Sequence, residues 1–338
     1  MRILTIGTAG FMGSNFVRKL AKIYNNHEIL IADKLTYAGR IENIKDILSD
    51  RVKFVKCDIS NFEEINKIIK DFKPEIIINF AAESHVDRSI NEPALFIKTN
   101  IIGVFNILES IKEINRNIVY YHISTDEVYG DILDLYGKDA EVDESYPLNP
   151  SSPYSASKAS ADLLIKAYGR TFGIKYVIIR PSNNYGPYQH PEKLIPRTII
   201  RLLLGYKATI YGDGSSIRDY IYVDDFVDGV ITILEKGKLN EIYNICAGNK
   251  ITIREVVEKI VKLLGKDVEK DIKYVSSRPG EDKMYSMKCE KLRALGWEPK
   301  HSFEEGLRKT IDWYIKNRWW WEPLIDEYVI KDEVWKKY

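Results

Sequence analysis

The sequence predicts an α/β protein, a doubly wound parallel sheet followed by a smaller α/β lobe. Over the first half of the chain, short β-rich apolar runs alternate with longer helical stretches, the pattern of successive βαβ units. A glycine-rich turn directly follows the first apolar run. After about residue 181 the alternation gives way to loops rich in glycine and proline. We therefore expect one domain over 1–180 and a ligand-binding lobe over 181–338, with an approximate boundary that the chain can cross.

Composition and charge narrow the function classes. The 338 residues include 50 Lys and Arg against 49 Asp and Glu, a formal net charge of +1, so no bulk field attracts nucleic acid or a membrane. No uninterrupted apolar run approaches the roughly 18 residues of a membrane span. The three cysteines lie far apart without a C-x-x-C pair, which predicts neither a disulfide framework nor a metal site. We expect a cytoplasmic enzyme.

The predicted elements alternate in chain order. We expect strands at 3–6, 28–32, 53–57, 76–80, 117–124 and 176–179. We expect helices at 14–23, 62–71, 99–114 and 155–172. Right-handed crossovers place such helices on both faces of the sheet, and ligands then bind at the carboxyl ends of the strands.

The glycine-rich turn is the first candidate binding motif. Gly7, Gly10 and Gly13 open the first helix with the spacing G-x-x-G-x-x-G, and Phe11 and Met12 lie between the last two glycines. Glycines at this position permit a tight turn, let the backbone approach a pyrophosphate and place the phosphates at a helix N-terminus. The turn therefore predicts a dinucleotide-binding Rossmann domain over 1–180.

Two carboxylates at strand ends support this prediction. Asp33 ends the second strand, where it can accept hydrogen bonds from the adenosine ribose and repel a 2′-phosphate. This favours NAD over NADP, although the neighbouring Lys34 weakens the preference. Asp58 follows the third strand and has two interpretations: it contacts the adenine amino group, or it caps the next helix.

Tyr154 and Lys158 are the first pair of candidate catalytic residues. They lie one turn apart at the start of a predicted helix, in the motif Y-S-A-S-K, so both side chains share one face. A phenol with a pKa near 10 is a poor base at neutral pH. A nearby ammonium and a cationic nicotinamide ring both favour the phenolate, so we expect the pKa of Tyr154 to be lowered.

Asp126 and Glu127 form the second chemical pair. They follow the strand predicted at 117–124, just past its regular part, where a turn can aim both carboxylates at the ligand edge. Two close carboxylates resist double ionisation, so one can hold a proton while the other acts as a base. An elimination needs this combination.

These motifs together resemble the dTDP-glucose 4,6-dehydratases of the extended short-chain dehydrogenase/reductase family over residues 1 to about 315. The motifs are the glycine turn, F-A-A-E-S-H-V-D-R-S at 80–89, T-D-E-V-Y-G from Thr125, Y-S-A-S-K from Tyr154 and S-N-N-Y-G-P from Ser182. The resemblance implies a homodimer through the helices at 99–114 and 155–172, with NAD as cofactor and a nucleotide-diphosphate sugar as substrate.

The resemblance also implies a role for each site residue. Tyr154 takes the proton of the sugar O4 and Thr125 holds O4, Glu127 removes the C5 proton, and Asp126 protonates O6 as water leaves. The implied cofactor contacts are Gly7, Gly10, Phe11, Met12, Gly13, Asp33, Lys34, Asp58, Ile59, Phe80, Ala81, Ala82, Ser84, Thr99, Tyr154 and Lys158. The implied substrate contacts are Ser84, Thr125, Asn183, Lys193, Arg218, Asn249 and Arg278.

Three alternatives remain open. A dehydratase acting on UDP- or CDP-glucose fits the same motifs, because Glu281 stands where the family usually has histidine and removes an expected phosphate contact. A nucleotide-sugar 4-epimerase needs no acidic pair, so Asp126 and Glu127 argue against it. A non-catalytic NAD-binding protein could lose all the chemical residues, yet all are present.

The C-terminus carries one unusual feature. Trp319, Trp320 and Trp321 stand in a row, with Trp313 and Trp335 nearby. Because each indole buries a large apolar area, we expect these rings to dock the C-terminal segment rather than to stack on a ligand.

Overall fold

The computed structural model describes residues 1–277 and 281–333. A seven-stranded, fully parallel sheet forms the centre of the large domain, and three two-stranded sheets complete the rest. The strands are β1 Arg2–Ile6, β2 Glu28–Asp33, β3 Val52–Lys56, β4 Ile76–Asn79, β5 Val119–Ile123, β6 Lys175–Pro181, β7 Asn183–Tyr185, β8 Ala208–Tyr211, β9 Ile217–Arg218, β10 Tyr220–Tyr222, β11 Glu241–Ile245, β12 Ile251–Thr252 and β13 Ile272–Val275.

The helices connect these strands. The α-helices are α1 Phe11–Ile23, α2 Phe62–Phe72, α3 Val86–Asn91, α4 Pro93–Phe96, α5 Gly103–Ile114, α6 Ile132–Tyr136, α7 Pro153–Phe172, α8 Leu194–Leu203, α9 Val223–Lys236, α10 Ile253–Leu263, α11 Val268–Asp271, α12 Glu290–Arg293, α13 Phe303–Lys316, α14 Arg318–Trp321 and α15 Glu327–Ile330. A π-helix covers Ile97–Ile102, and 3-10 turns cover Ile41–Asn43, Lys45–Ile47, Asp126–Tyr129 and Glu322–Leu324.

The large sheet has the order β3-β2-β1-β4-β5-β6-β11. Its strands alternate side chains between two buried faces, as Ile3 and Leu4 do in β1. Helices α1 and α9 cover the face that contains Ile3, and α2, α5 and α7 cover the other. The strand order reverses between β1 and β4, which opens the ligand crevice of a Rossmann sheet at their carboxyl ends.

The smaller lobe has a separate core. Helices α8, α10 and α13 pack with β8 and β13 into one apolar cluster, and the indoles of Trp320 and Trp321 belong to it. Residues 223–245, which form α9 and β11, return to the large sheet after the chain has entered the lobe. The two parts are therefore interleaved in sequence, and no single cut separates their elements.

The predicted elements of the first half are confirmed, and their bounds shift by a few residues. The largest difference is the helix expected at 99–114, which continues a helical stretch beginning at Pro93 and passing through the π-helix. That whole stretch, Pro93–Ile114, is 22 residues long and contains an 18-residue window with mean hydropathy 1.4, enough by length and composition to cross a membrane. It packs instead as a core helix, with Val104, Ile107 and Leu108 fully buried between α2 and α7.

Candidate active site

A cleft of about 290 Å³ lies at the carboxyl ends of the central strands. It collects every residue expected to contact the cofactor, and it also holds both chemical pairs. The lining residues predicted from the sequence are Gly7, Gly10, Phe11, Met12, Gly13, Asp33, Lys34, Asp58, Ile59, Phe80, Ala81, Ala82, Ser84, Thr99, Thr125, Asp126, Glu127, Tyr154, Lys158, Asn183 and Lys193.

The glycine turn is shaped by close backbone packing. Gly7 has φ +73°, which favours glycine, and any Cβ there would collide with the backbone of Ala81 after β4. A Cβ on Gly13 would lie 2.5 Å from the Cα of Thr8, so α1 can begin this close to β1 only without a side chain. Both glycines serve the close approach of helix, strand and ligand that the turn predicts.

Asp33 joins the second strand to this turn. One of its carboxylate oxygens accepts the Ala9 N–H at 2.9 Å and the other accepts the Leu35 N–H at 2.8 Å. Burial raises the pKa of Asp33, and these two backbone N–H groups oppose that shift. The carboxylate lies in the cleft at the position predicted for ribose recognition.

The structure decides between the two interpretations of Asp58, adenine contact and helix cap. The residue that caps α2 is Asn61, whose side chain accepts the Glu64 N–H, so the capping interpretation of Asp58 is wrong. Asp58 instead lines the cleft and forms an ion pair with Lys34 at 2.7 Å. Burial works to raise the pKa of Asp58, but hydrogen bonds from Lys34 and Ser60 outweigh it and leave the pKa below its usual value.

Helix α7 brings Tyr154 and Lys158 into the cleft. Ser152 caps this helix in a reciprocal pair with Ser155, and Pro153 occupies its first turn. Both chemical side chains are nearly fully buried and line the same cavity. The predicted shared face is therefore confirmed.

The pKa of Tyr154 is raised by the protein's own residues, whereas the expected lowering also depends on a cationic nicotinamide ring. Burial raises this pKa, the charge of Glu127 raises it further, and a hydrogen bond from Thr125 only partly opposes them. The Lys158 ammonium donates to the Ile123 carbonyl at 2.7 Å, and burial lowers its own pKa to about 8. Within the protein alone, the Lys158 ammonium is thus directed at the backbone.

The acidic pair lies on the 3-10 turn that follows β5. Asp126 is 3% exposed, and burial together with the charge of Glu127 raises its pKa well above the usual value. Its Oδ1 accepts the Thr125 hydroxyl at 3.1 Å, and its Oδ2 is buried without a hydrogen-bond partner in the part of the chain that the structure describes. Both effects favour the protonated form of Asp126, the form that one member of the pair is expected to keep.

A buried histidine beneath Lys158 was missed by the sequence analysis. His122 Nε2 lies 3.3 Å from Lys158 Nζ, and His122 Nδ1 lies 3.1 Å from the Tyr120 hydroxyl. Burial and the charge of Lys158 hold the pKa of His122 well below its usual value, so the ring is neutral and can accept from the ammonium. The available signal was a titratable residue inside an otherwise apolar strand.

A second cavity of about 200 Å³ adjoins the first and shares Ser84, Glu127, Asn183 and Lys193 with it. Lys193 donates to the Ser84 carbonyl at 2.7 Å, which joins the start of α8 to the segment after β4. Arg218 lines this second cavity, but its guanidinium already donates to the Ile217 and Asp282 carbonyls.

One predicted substrate contact, Asn249, is not brought into these cavities. Asn249 lines neither of them, and its side chain donates to the Tyr220 carbonyl at 3.0 Å. Three consecutive backbone N–H groups at 247–249 donate to Asp219, which fixes Asn249 against β10. Arg278 lies outside the described residues, while Glu281, the departure noted in the sequence, lines the second cavity.

The cleft fits a polar dinucleotide on its own evidence. Asn183 Oδ1, Asn184 Oδ1 and Gln189 Oε1 are buried at its wall without a hydrogen-bond partner among the described residues, as is Asp126 Oδ2. Buried polar atoms without partners are costly, so their concentration here indicates a polar ligand. Gln189 and its neighbours His190 and Glu192 were not predicted, because they reach the cleft only through the tertiary fold.

A Rossmann sheet with a glycine turn at its switch point and a Tyr–x–x–x–Lys pair in the same cleft defines a dinucleotide-dependent enzyme of the short-chain dehydrogenase/reductase class. The family profile described as GDP-mannose 4,6 dehydratase matches residues 4–310. The chain therefore belongs to this family.

Individual relatives agree with this family. The chain is 43% identical over 328 residues to dTDP-glucose 4,6-dehydratase of Mycobacterium tuberculosis, covering 96% of this chain and 97% of that protein. It resembles the crystal structure of dTDP-glucose 4,6-dehydratase from Bacillus anthracis in complex with NAD, with a TM-score of 0.88, 44% identity and coverage of 96% and 100% of the two chains. The corresponding Streptomyces venezuelae enzyme, also with NAD bound, gives a TM-score of 0.91, 42% identity and the same coverage.

Proposed function

We propose that this protein dehydrates dTDP-glucose to dTDP-4-keto-6-deoxyglucose with NAD as its resident cofactor, and so supplies deoxysugar synthesis. The observation that carries the proposal is the pairing of a buried Asp126, whose pKa is raised, with Glu127 in the cleft that also holds Tyr154. An epimerase has no elimination to catalyse and no use for this acidic pair.

The residues that would hold NAD divide along the cleft. The turn at Gly7–Gly13 would receive the pyrophosphate, Asp33 the adenosine ribose, and Lys158 the nicotinamide ribose. Bound NAD supplies an oxidant for C4 of the sugar and, later in the same turnover, a reductant for C6. Among the described residues that line the cleft, Lys34 is the only cation beside Asp33. The negative charge of Asp33 and this shortage of positive charge favour NAD over NADP.

The chain's own residues account for each proton transfer. Tyr154 accepts the proton of O4. Thr125, which is hydrogen-bonded to Tyr154, holds O4 in place. The resulting ketone acidifies the hydrogen on C5, which Glu127 removes. Asp126 donates its proton to O6, and water leaves. Glu127 then returns its proton to C5 when C6 is reduced. All of these groups line one cavity, as a reaction on two ends of one hexose requires.

The raised pKa of Asp126 fits its role, whereas the raised pKa of Tyr154 opposes its role in the protein alone. Asp126 needs a proton at neutral pH, and burial beside Glu127 shifts its pKa in the direction that favours this form. Tyr154 must lose its proton, and in the protein alone burial and Glu127 work against that loss. The positive nicotinamide ring is then the group whose charge would favour the phenolate, so oxidation can begin only with cofactor in place.

The second cavity would receive the nucleoside diphosphate. Arg218 and Lys193 supply positive charge, whereas Glu281 supplies negative charge at the same wall. dTDP and UDP differ by one methyl and one hydroxyl group. Discrimination between the two nucleotides depends on which of these groups the cavity accommodates. UDP- and CDP-glucose therefore belong in the test of function.

We also propose a cytoplasmic homodimer joined through α5 and α7. Large apolar side chains are exposed on these helices, Phe105 at 39% on α5 and Leu163 at 56% on α7, and Ile102 at 43% ends the π-helix that precedes α5. Pairing the two helices with their copies in a second chain would bury these side chains in a four-helix interface. Sedimentation equilibrium measures this state, and a monomer at micromolar concentration would contradict it.

One assay tests the function. Purified protein is incubated with dTDP-, UDP- and CDP-glucose in turn, and products are analysed for a 4-keto sugar and for the loss of one water by mass. The proposal predicts conversion of dTDP-glucose with no added reductant or oxidant beyond catalytic NAD. A product of unchanged mass would indicate an epimerase, and faster conversion of UDP- or CDP-glucose would reassign the nucleotide.

A further inference from the structure

The tryptophan-rich C-terminal segment connects to the dinucleotide turn through the side chain of Asn43. The indole N–H of Trp320 donates to Asn43 Oδ1 at 2.7 Å, and Asn43 Nδ2 donates to the Ala9 carbonyl at 2.7 Å. Ala9 is part of the glycine turn, and its own N–H donates to Asp33 at 2.9 Å. One continuous path of hydrogen bonds therefore runs from α14 to the carboxylate placed for the adenosine ribose.

This path is buried and directional. Trp320 is 1% exposed and Asn43 is fully buried, so water cannot replace either partner. An amide side chain has one donor end and one acceptor end, and here Trp320 occupies the acceptor while Ala9 occupies the donor. Removing the indole N–H would leave Asn43 Oδ1 unsatisfied and free the amide to rotate away from the turn.

A second contact ties the same two segments together. The backbone N–H of Arg40 donates to the Ala9 carbonyl at 3.0 Å, while the Arg40 guanidinium donates to the Trp320 carbonyl at 2.7 Å and lies 5.6 Å from its ring centroid. Residues 40–43 are thus held between the glycine turn on one side and Trp320 on the other. Trp320 itself is fixed in the smaller lobe by Trp313 and Tyr188.

We infer that Trp320 is a positioning residue for the dinucleotide turn, acting through Asn43, so that the C-terminal segment sets the affinity of the large domain for NAD. The inference rests on the proposed function, which makes this turn the NAD site. Docking of the segment by its rings, as expected from the sequence, holds for Trp320 and Trp321, whereas Trp319 is 54% exposed.

The chain provides a matched control for this inference. Trp321 is equally buried and has an arginine beside its ring. Its indole N–H also donates to a buried acceptor, the Tyr314 carbonyl, at 2.7 Å. That acceptor lies in α13 and has no part in the turn. Trp320→Phe and Trp321→Phe therefore remove the same group from the same segment, and only the first breaks the path to Ala9.

The test measures NAD affinity by calorimetry on purified full-length protein freed of bound NAD. Trp320→Phe should weaken NAD binding about tenfold, the scale of one buried hydrogen bond, while Trp321→Phe should change it less than about twofold. At saturating NAD, kcat and the KM for the sugar nucleotide should return to wild-type values in Trp320→Phe. Equal NAD affinities in the two variants, or equal losses, would overturn the inference.

Asn43→Ala supplies a second variant that leaves the C-terminal core intact, in case Trp320→Phe does not fold. It should weaken NAD binding by at least the same factor, and the double variant should bind no more weakly than Asn43→Ala alone, because both changes break one path. Additive losses, or full affinity in Asn43→Ala, would contradict the inference. A wild-type protein that does not bind NAD would overturn the proposed function itself, which distinguishes the two failures.

Discussion

The carboxylate of Glu127 raises the pKa of its neighbour Asp126, which burial has already raised well above the usual value. The two adjacent acids lie on a short turn after β5, where the charge of either one favours protonation of the other. The pair supplies an acid and a base at the same pH, which neither residue could do alone.

Asp126→Asn should stabilise the protein at neutral pH. A carboxyl whose pKa is raised on folding contributes most stability below its unfolded pKa, near 3.9, and loses it as the pH rises through the folded value. The amide cannot ionise, so the variant should gain about 1 kcal/mol or more in free energy of unfolding at pH 7 and nothing at pH 3. Urea denaturation at several pH values measures this.

A surface substitution provides the comparison for Asp126→Asn. Asp139→Asn changes an exposed carboxyl in the loop after α6 and should leave the pH dependence of stability as in wild type. An Asp126→Asn variant whose stability follows the wild-type curve at every pH would show that the carboxyl is ionised in the folded protein.

Glu127→Gln should separate oxidation from elimination. The variant keeps Tyr154 and Thr125, so C4 is still oxidised, but it lacks the base that removes the C5 proton. Overall product formation should fall by about a hundredfold or more. Quenched samples analysed by mass spectrometry should contain the 4-keto sugar that retains its water, and near-normal product yield would remove Glu127 from the mechanism.

Tyr154→Phe should suppress the first oxidation itself, by about a hundredfold or more, because it removes the group that takes the O4 proton. Affinity for NAD should change little. Tyr185→Phe is a control, since Tyr185 is equally buried and its hydroxyl donates to the Phe303 carbonyl away from the cleft. Single-turnover measurement of the oxidised sugar distinguishes them, and equal rates in both variants would contradict the role of Tyr154.

Asp33→Asn should relax the choice of dinucleotide. The amide keeps an acceptor for the Leu35 N–H but removes the charge that repels a 2′-phosphate, while Lys34 remains beside it. The ratio of NADP to NAD dissociation constants should fall about tenfold, mainly through tighter NADP binding. An unchanged ratio would mean that the pocket excludes NADP by shape rather than by charge.

The elements that the sequence predicts correctly are those that local patterns encode. Alternation of strand and helix identifies the sheet, glycine spacing identifies the turn at Gly7, and helical spacing alone aligns Tyr154 with Lys158. Asp126 and Glu127 follow a strand in sequence, so their place at the ligand edge needs no knowledge of distant contacts.

What the sequence could not predict depends on contacts between distant segments. The neutral His122 beneath Lys158 and the link from Trp320 to Asn43 join residues that are 36 and 277 positions apart. The raised pKa of Tyr154 in the protein alone was not expected, because proximity in the helix says nothing about burial, and Lys158 turns to the Ile123 carbonyl instead. Asn249 was misplaced because its loop is folded around Asp219.

The most direct measurement follows one hydrogen atom through the reaction. dTDP-glucose carrying deuterium at C4 is converted by the wild-type protein in the presence of unlabelled dTDP-glucose, and the products are examined by mass spectrometry and NMR. The account predicts a 4-keto product that has lost one water and carries deuterium on its C6 methyl, with none transferred to the unlabelled sugar. Deuterium retained at C4, or lost to solvent, would contradict it.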